Sequence, residues 1–502
     1  MRNCMRHILA LSGCLLLLAT VASAAPDLRM APDGLAAALG AISGPRMMED
    51  VARLSSPAFN GRQTGTADDV RSARFIVERF ESLGLFPCGG RPLPGNARGP
   101  LWAQSEAFTG SSIQAPAIME WTTPAVTTPA RLGPDFLPIL DSPSAGASAP
   151  LIFVGYGISD PAHEFDEYAG LDVRDRVVLF LRGKPEGYST PVTHADKERT
   201  ARKRGAIAFL TATGPITSAY ETRRGIGRAP TALYSQASDN RLLPGAWIST
   251  ELAEQLLAVD GQSLREVQER LNQQRKPQSA PTNVILHLAW DSRQESGTLV
   301  NVLGMIPGQD PALRERALVI GAHRDHFGRQ AGLLFPGADD NASGTAVLLE
   351  VAKTFAKSGL AHKRTIVFVS FSGEEQGLFG SRLYVGKPPL PLNQTVAMLN
   401  VDHAGIGNGR LTVGLTGLSK EEATEAGKVA GVAELLDLYG FFPGGDHVPF
   451  KEAGTPTATI VSAGPHPHFH QPSDTADTVK TEILERAARY LFVLAWQLAN
   501  TP

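Results

Sequence analysis

A chain of 502 residues, 43% hydrophobic and 19% charged, has the composition of a globular protein and the length for two or three domains. Its 47 basic and 50 acidic side chains leave a formal charge of −3, which argues against nucleic acid or an anionic membrane surface as partner.

Arg2 and Arg6 precede an apolar run, Ile8–Val21, and Ala22-Ser23-Ala24 offers small residues for cleavage, so residues 1–24 read as a secretory signal. The run is shorter than the roughly 20 apolar residues that a membrane span needs, and no stable membrane insertion is expected. Leu11-Ser12-Gly13-Cys14 is similar to a bacterial lipoprotein box; it comes early and the apolar run continues past it, so anchoring at Cys14 is the second reading. Either way the segment resembles a bacterial export signal and implies a periplasmic or secreted protein. Cleavage after Ala24 leaves Cys88 alone, without a partner for an internal disulfide.

Residues 45–85 predict a helix, a loop and a second helix, the latter with Thr66 as N-cap, Asp69 three residues on, and Gly84 as stop. Frequent proline and glycine between Pro87 and Pro150 predict loops and short strands. From Leu151, strand-like runs alternate with one charged helix, Ala195–Arg204, read as a solvated face; Gly155 and Gly157 read as turn residues. Glu251–Leu271 reads as helix, and Asn283–Leu288 and Thr298–Gly304 as strands leading back into a main sheet. Beyond residue 285 strands and helices alternate: strands over Ala317–Ala322, Thr365–Ser372, Val396–Val401, Leu411–Leu415 and Thr455–Ala463, helices over Ala342–Ser358, Lys420–Leu436 and Thr481–Leu498. This pattern predicts a three-layer α/β domain around a central mixed sheet, with its site at the carboxyl ends of the strands.

Histidines and carboxylates collect where these strands run out. His323 ends one strand, Asp325 follows two residues on, and a strand's period of two puts both side chains on one face. An imidazole that binds metal wants its second nitrogen held by a carboxylate, which suits Asp325. Asp340 lies in the turn before a helix, Glu374 and Glu375 follow another strand, and Asp402 a third. Two ions about 3.5–4 Å apart need a shared ligand, which one carboxylate with two oxygens provides. Of two adjacent glutamates, one can ligate while the other faces the bound water. Taken singly, any of these is an ordinary surface acid or cap; Asp340 alone could be an N-cap. A structural zinc site is disfavoured because none of the motifs contains cysteine.

The ordered set His323-Arg324-Asp325, Asp340-Asn341-Ala342-Ser343-Gly344, Glu374-Glu375, Asn400-Val401-Asp402 and His470 followed by Asp474-Thr475 resembles the di-zinc peptidases of clan MH, which include secreted aminopeptidases and glutamate carboxypeptidase. The segment from Leu54 to Thr66 is similar to the stretch that opens this family's catalytic domain. Residue by residue, the resemblance implies His323 and Asp402 on one Zn²⁺, Glu375 and His470 on the other, Asp340 as bridge, Glu374 as general base and Asp325 behind His323. It implies a protease-associated insert at residues 121–282, between catalytic parts at 25–120 and 283–502, and peptides as substrates. Asp446-His447-Val448-Pro449-Phe450 is similar to the family's substrate-side segment, but Gly445 stands where serine is usual; orientation of substrate and a structural turn both stay open. Among the late histidines only His470 has the motif frame, and His466 and His468 read as polar lining. An aminopeptidase is the leading expectation; a glutamate-type carboxypeptidase, a glutaminyl cyclase and an inactive binding module are the alternatives.

Overall fold

The computed structural model describes residues 34–218, 221–222, 225–235, 242–274 and 276–501. The export signal and Cys14 lie outside them. Among the described residues no helix is long and apolar enough to cross a membrane.

The described strands form two large sheets. The first has nine strands, in the order Phe86–Pro87, Ser292–Ile306, Thr365–Phe371, Ala317–His323, Thr395–Val401, Thr457–Ser462, Leu411–Thr416 and Leu436–Tyr439, with Ala103–Ile113 also paired to Ser292–Ile306. Its four central strands, from Thr365–Phe371 to Thr457–Ser462, run parallel. Runs of this kind are buried on both faces, which is why they read as continuous apolar sequence. The period of two is visible in the core: Leu318, Ile320 and Ala322 pack on one face, Ala317 and Val319 on the other. The first face is covered by helices Gly44–Leu54, Ala67–Leu83, Gly344–Lys357 and Thr481–Asn500, and the second by Phe379–Gly386 and His447–Glu452 through Tyr384 and Phe450. The three-layer α/β expectation holds. Thr66 accepts from the Asp69 amide at 3.3 Å, and Gly84 closes its helix in the left-handed conformation, as the sequence predicts.

The second sheet has eight strands, in the order Thr127–Pro129, Ile118–Thr122, Ala280–Trp290, Ala145–Phe153, Val177–Leu181, Ala208–Ala212, Gly245–Ile248 and Phe136–Pro138. The strand read over Asn283–Leu288 therefore belongs here and not to the first sheet; it pairs with Ala145–Phe153 and Ile118–Thr122. Its alternation marks it as half-buried, but only distant partners decide which sheet it joins. The two sheets are joined by an antiparallel ribbon in which Ala103–Ile113 pairs along Ser292–Val302. Two long helical readings are each broken. Thr250–Ala258 and Leu264–Gln274 are separate helices, and Lys420–Ala430 ends at Gly431 (φ 75°), before the strand Leu436–Tyr439. The charged helix is His194–Lys203, and it is not wholly solvated: Lys197 is buried, its ammonium donating to the Leu181 carbonyl at 2.7 Å.

Candidate metal centre

Four parallel strands bring their carboxyl ends to one edge of the first sheet. His323 is the last residue of its strand, Asp402 follows Val401, and Glu374 and Glu375 lie three and four residues past Phe371. Asp340 sits in the irregular turn before helix Gly344–Lys357. That turn is fixed from outside: Asp474 accepts from the Asp339 amide at 2.8 Å and the Asp340 amide at 3.1 Å. The late motif thus works as a unit, His470 entering the site and Asp474 holding the turn that carries Asp340.

Two groups of donors share Asp340. His323 Nε2 lies 3.2 Å from Asp402 Oδ1 and 3.4 Å from Asp340 Oδ1. His470 Nε2 lies 2.9 Å from Asp340 Oδ2 and 3.3 Å from Glu375 Oε2. Donors bound tetrahedrally to one zinc at about 2.0–2.2 Å stand roughly 3.3–3.6 Å apart, and most of these separations fall near that range. Each histidine also has its other nitrogen toward a carbonyl: His323 Nδ1 is 3.3 Å from the Asp325 main-chain oxygen, and His470 Nδ1 is 2.9 Å from that of Ala232. A carbonyl only accepts, so Nδ1 carries a proton, and in the neutral imidazole that binds metal it is Nε2 whose lone pair faces the carboxylates. Lone pairs facing carboxylate oxygens call for a cation between them, and buried Asp340 Oδ2 makes no hydrogen bond. The residues present fit two zinc ions, with one Asp340 oxygen toward each.

Asp325 departs from its expected geometry. The strand stops at His323, so the period of two is lost, and the Asp325 carboxylate is 3.7 Å from His323 Nδ1. Its oxygens instead accept from Thr64 Oγ1 at 2.9 Å and the Glu374 amide at 3.3 Å. The imidazole is served by the main chain of Asp325, and the carboxylate ties the loop after His323 to the loop carrying both glutamates. Thr64 adds to the tie by accepting from the Gly373 amide at 2.9 Å. Neighbouring Arg62, fully buried, donates to the carbonyls of Arg324, Leu54, Pro336 and Gly337.

Three further histidines enter. His326 is buried, with Nδ1 2.6 Å from Glu375 Oε1, and it joins Asp340 and Glu375 as a possible donor group. The only sequence sign of it was its place three residues after His323, in a stretch with no strand period. His466, read as lining, is buried between Asp339 Oδ2 at 2.6 Å and the Ser462 carbonyl at 3.1 Å. His403, next to Asp402, has its two nitrogens 3.4 Å from Asp339 and 3.5 Å from Asp340. Asp339, His403 and His466 form a third donor group beside the other two. His468 bonds Ser473 instead, at 2.9 Å.

Burial would raise the Asp340 and Asp402 carboxyls, yet the adjoining histidines, His403 among them, hold both below the usual range. Burial dominates for Glu374 and Glu375 and pushes both well above it. Glu374 stands outside the two ligand groups, 4.0 Å from His323 Nε2, with its side chain 16% exposed. Asp446 and His447 are buried at the start of helix His447–Glu452, and His447 Nε2 donates to the Phe442 carbonyl at 2.8 Å. Gly445 takes φ 96°, a backbone conformation that serine would strain.

Residues 301–495 match peptidase family M28. The chain superposes on the aminopeptidase of Aneurinibacillus sp. strain AM-1 with a TM-score of 0.65 over 94% of its own length and 97% of that protein, at 21% identity. With BSAP, a zinc aminopeptidase of Bacillus subtilis, the TM-score is 0.60 over 91% and 96%, at 20% identity. The chain shares its fold with these two aminopeptidases. In sequence, a probable leucine aminopeptidase of Arthroderma otae is 30% identical over 212 residues, which is 40% of this chain and 57% of that protein. The chain thus spans little more than half the length of this curated relative. The M28 match starts at Asn301, on the ribbon strand, and takes in all the ligand residues named above.

Proposed function

We propose that the chain is a zinc-dependent aminopeptidase that hydrolyses N-terminal residues from peptides. One observation carries the reading: the two oxygens of Asp340 point to two different histidines, each joined by a further carboxylate. His323 and Asp402 would hold one zinc, Glu375 and His470 the other, and Asp340 both. Zinc bound there supplies a Lewis acid for the scissile carbonyl and a water that ionises near neutrality. Glu374 takes the proton of the attacking water and returns it to the departing amine. Its place outside both ligand groups leaves its carboxylate to do both. Asp325 keeps the Glu374 loop against the His323 loop through the Glu374 amide. The second sheet is read as a protease-associated insert, and the N-terminal segment as a signal for export to the periplasm or beyond.

Asp340→Ala should lose both ions, because each group loses an oxygen; metal analysis after dialysis with full zinc retained would remove the bridge. For the reaction, one peptide with a free N-terminus and its acetylated twin are incubated with the protein, with and without chelator, and followed by mass spectrometry. Stepwise loss from the free N-terminus alone, stopped by chelator, is expected. Loss from the C-terminus of both peptides would make the enzyme a carboxypeptidase, and loss of ammonia from an N-terminal glutamine version a cyclase.

A further inference from the structure

The two metal positions are not supported alike. His323 is oriented by the main chain of Asp325, two residues away in the same loop. His470 is oriented from the second sheet's side of the molecule. Its Nδ1 donates to the Ala232 carbonyl at 2.9 Å, and the Ala232 amide donates back to the His470 carbonyl at 3.0 Å. Ala232 is buried, and the residues around it are fastened to elements of the second sheet. Leu233 accepts from the Leu140 amide at 2.9 Å, and Ser235 donates to Asp141 and Glu198, each at 2.6 Å. Arg228 pairs with Glu251 at 2.5 Å, and its carbonyl accepts from the Thr250 amide.

The same segment reaches Glu375 indirectly. Tyr234 Oη accepts from Gln376 Nε2 at 3.1 Å, next to that glutamate. The Tyr234 ring packs on Phe327, and Phe327 packs edge-on against His470 with centroids 4.6 Å apart. At the other end Gly225, at φ 73°, lies so close to the loop before His470 that a Cβ there would stand 2.3 Å from the His466 carbonyl oxygen. Residues 225–235 therefore brace His470 directly and Glu375 through its neighbour Gln376, whereas the hydrogen bonds of His323 run to Asp325 and Asp402; Tyr234 Oη also accepts from Gln63 Nε2, at the longer distance of 3.4 Å.

We propose that residues 225–235 are a working part of the metal centre, with Ala232 and Tyr234 as positioning residues that set the affinity of the His470 position alone. The inference rests on the two-zinc reading above. A partner that fixes the second nitrogen of a metal-binding histidine is worth about 10–100-fold in affinity. The test compares zinc stoichiometry and chelator-competition affinities of the full chain, together with the absorption spectrum of cobalt(II) at each position. Ala232→Pro removes the amide that donates to His470, Ala232→Gly keeps both main-chain groups, and Tyr234→Phe removes only the hydroxyl. Tyr156→Phe, elsewhere in the second sheet's core, is the control for general loosening.

Wild type should bind two ions. Ala232→Pro keeps the carbonyl that Nδ1 faces but loses the return bond that holds it there, so it should weaken one ion by up to about 10-fold, the lower end of that range, and leave the other, with Ala232→Gly and Tyr156→Phe like wild type. Tyr234→Phe should shift the same ion in the same direction, and it decides the matter if Ala232→Pro does not fold. Equal weakening of both ions, or two wild-type affinities in Tyr234→Phe and in a folded Ala232→Pro, would overturn the proposal and leave the two-zinc reading intact. A wild-type protein that binds no zinc would overturn both.

Discussion

Glu374→Gln should keep both zinc ions and the fold while turnover falls about 10²–10⁴-fold, the contribution usual for a positioned acid–base group. Glutamine has the same shape and retains the main-chain amide that Asp325 accepts from. It cannot take a proton from water. Glu374 lies outside both ligand groups, so metal content is the control that separates this variant from Asp340→Ala. A kcat within tenfold of wild type, at full zinc occupancy, would remove Glu374 from the role of base.

The second large effect concerns stability. Arg324 stands between His323 and Asp325, and its side chain is fully buried. It donates to Asp69 Oδ1 at 2.7 Å, to the Val300 carbonyl at 2.6 Å, to Ser72 Oγ at 3.1 Å and to the carbonyls of Ser370 and Phe371. One guanidinium thus gathers helix Ala67–Leu83 and two strands of the first sheet, Ser292–Ile306 and Thr365–Phe371, beneath the metal loops. Asp69→Ala leaves that charge buried and unpaired, and should cost about 3–5 kcal/mol in urea unfolding. Ser72→Ala, which removes a neutral partner of the same side chain, should cost about 1 kcal/mol. Equal losses in the two variants would show that the charge pairing contributes nothing beyond an ordinary hydrogen bond.

Much of the first sheet is legible in sequence because its central strands are buried on both faces. Ala317–His323 and Thr365–Phe371 are buried throughout and mostly apolar, and the run of polar residues that follows marks where each strand ends. His323, Asp340, Glu375, Asp402 and His470 converge because each lies at such an end or in a turn tied to one. What is not legible depends on distant partners. The alternation over Asn283–Leu288 identifies a strand and not its neighbours, which are Ala145–Phe153 and Ile118–Thr122. Lys197 and Glu198 look solvated in a charged helix, and only the folded chain shows them buried. Asp325 shows the limit of periodicity, since its side chain answers to Thr64 and the Glu374 amide once the strand has ended. His326 follows the same rule: beyond His323 no period says which way a side chain turns, and it turns to Glu375.

The ribbon between the two sheets has a consequence for how the chain assembles. Ala103–Ile113 and Ser292–Val302 are far apart in sequence yet paired along their whole length. Bringing them together from an unfolded chain would carry the entropy of closing a very long loop. Within the second sheet, however, Ile118 already lies opposite Ala289, on strands that lead directly into the two halves of the ribbon. Once that sheet has formed, its two ends leave side by side, and the ribbon closes from them as a hairpin does, residue by residue. A connection that is long-range on paper is therefore short once the second sheet is in place, and the ribbon's loop entropy falls on the closing of that sheet.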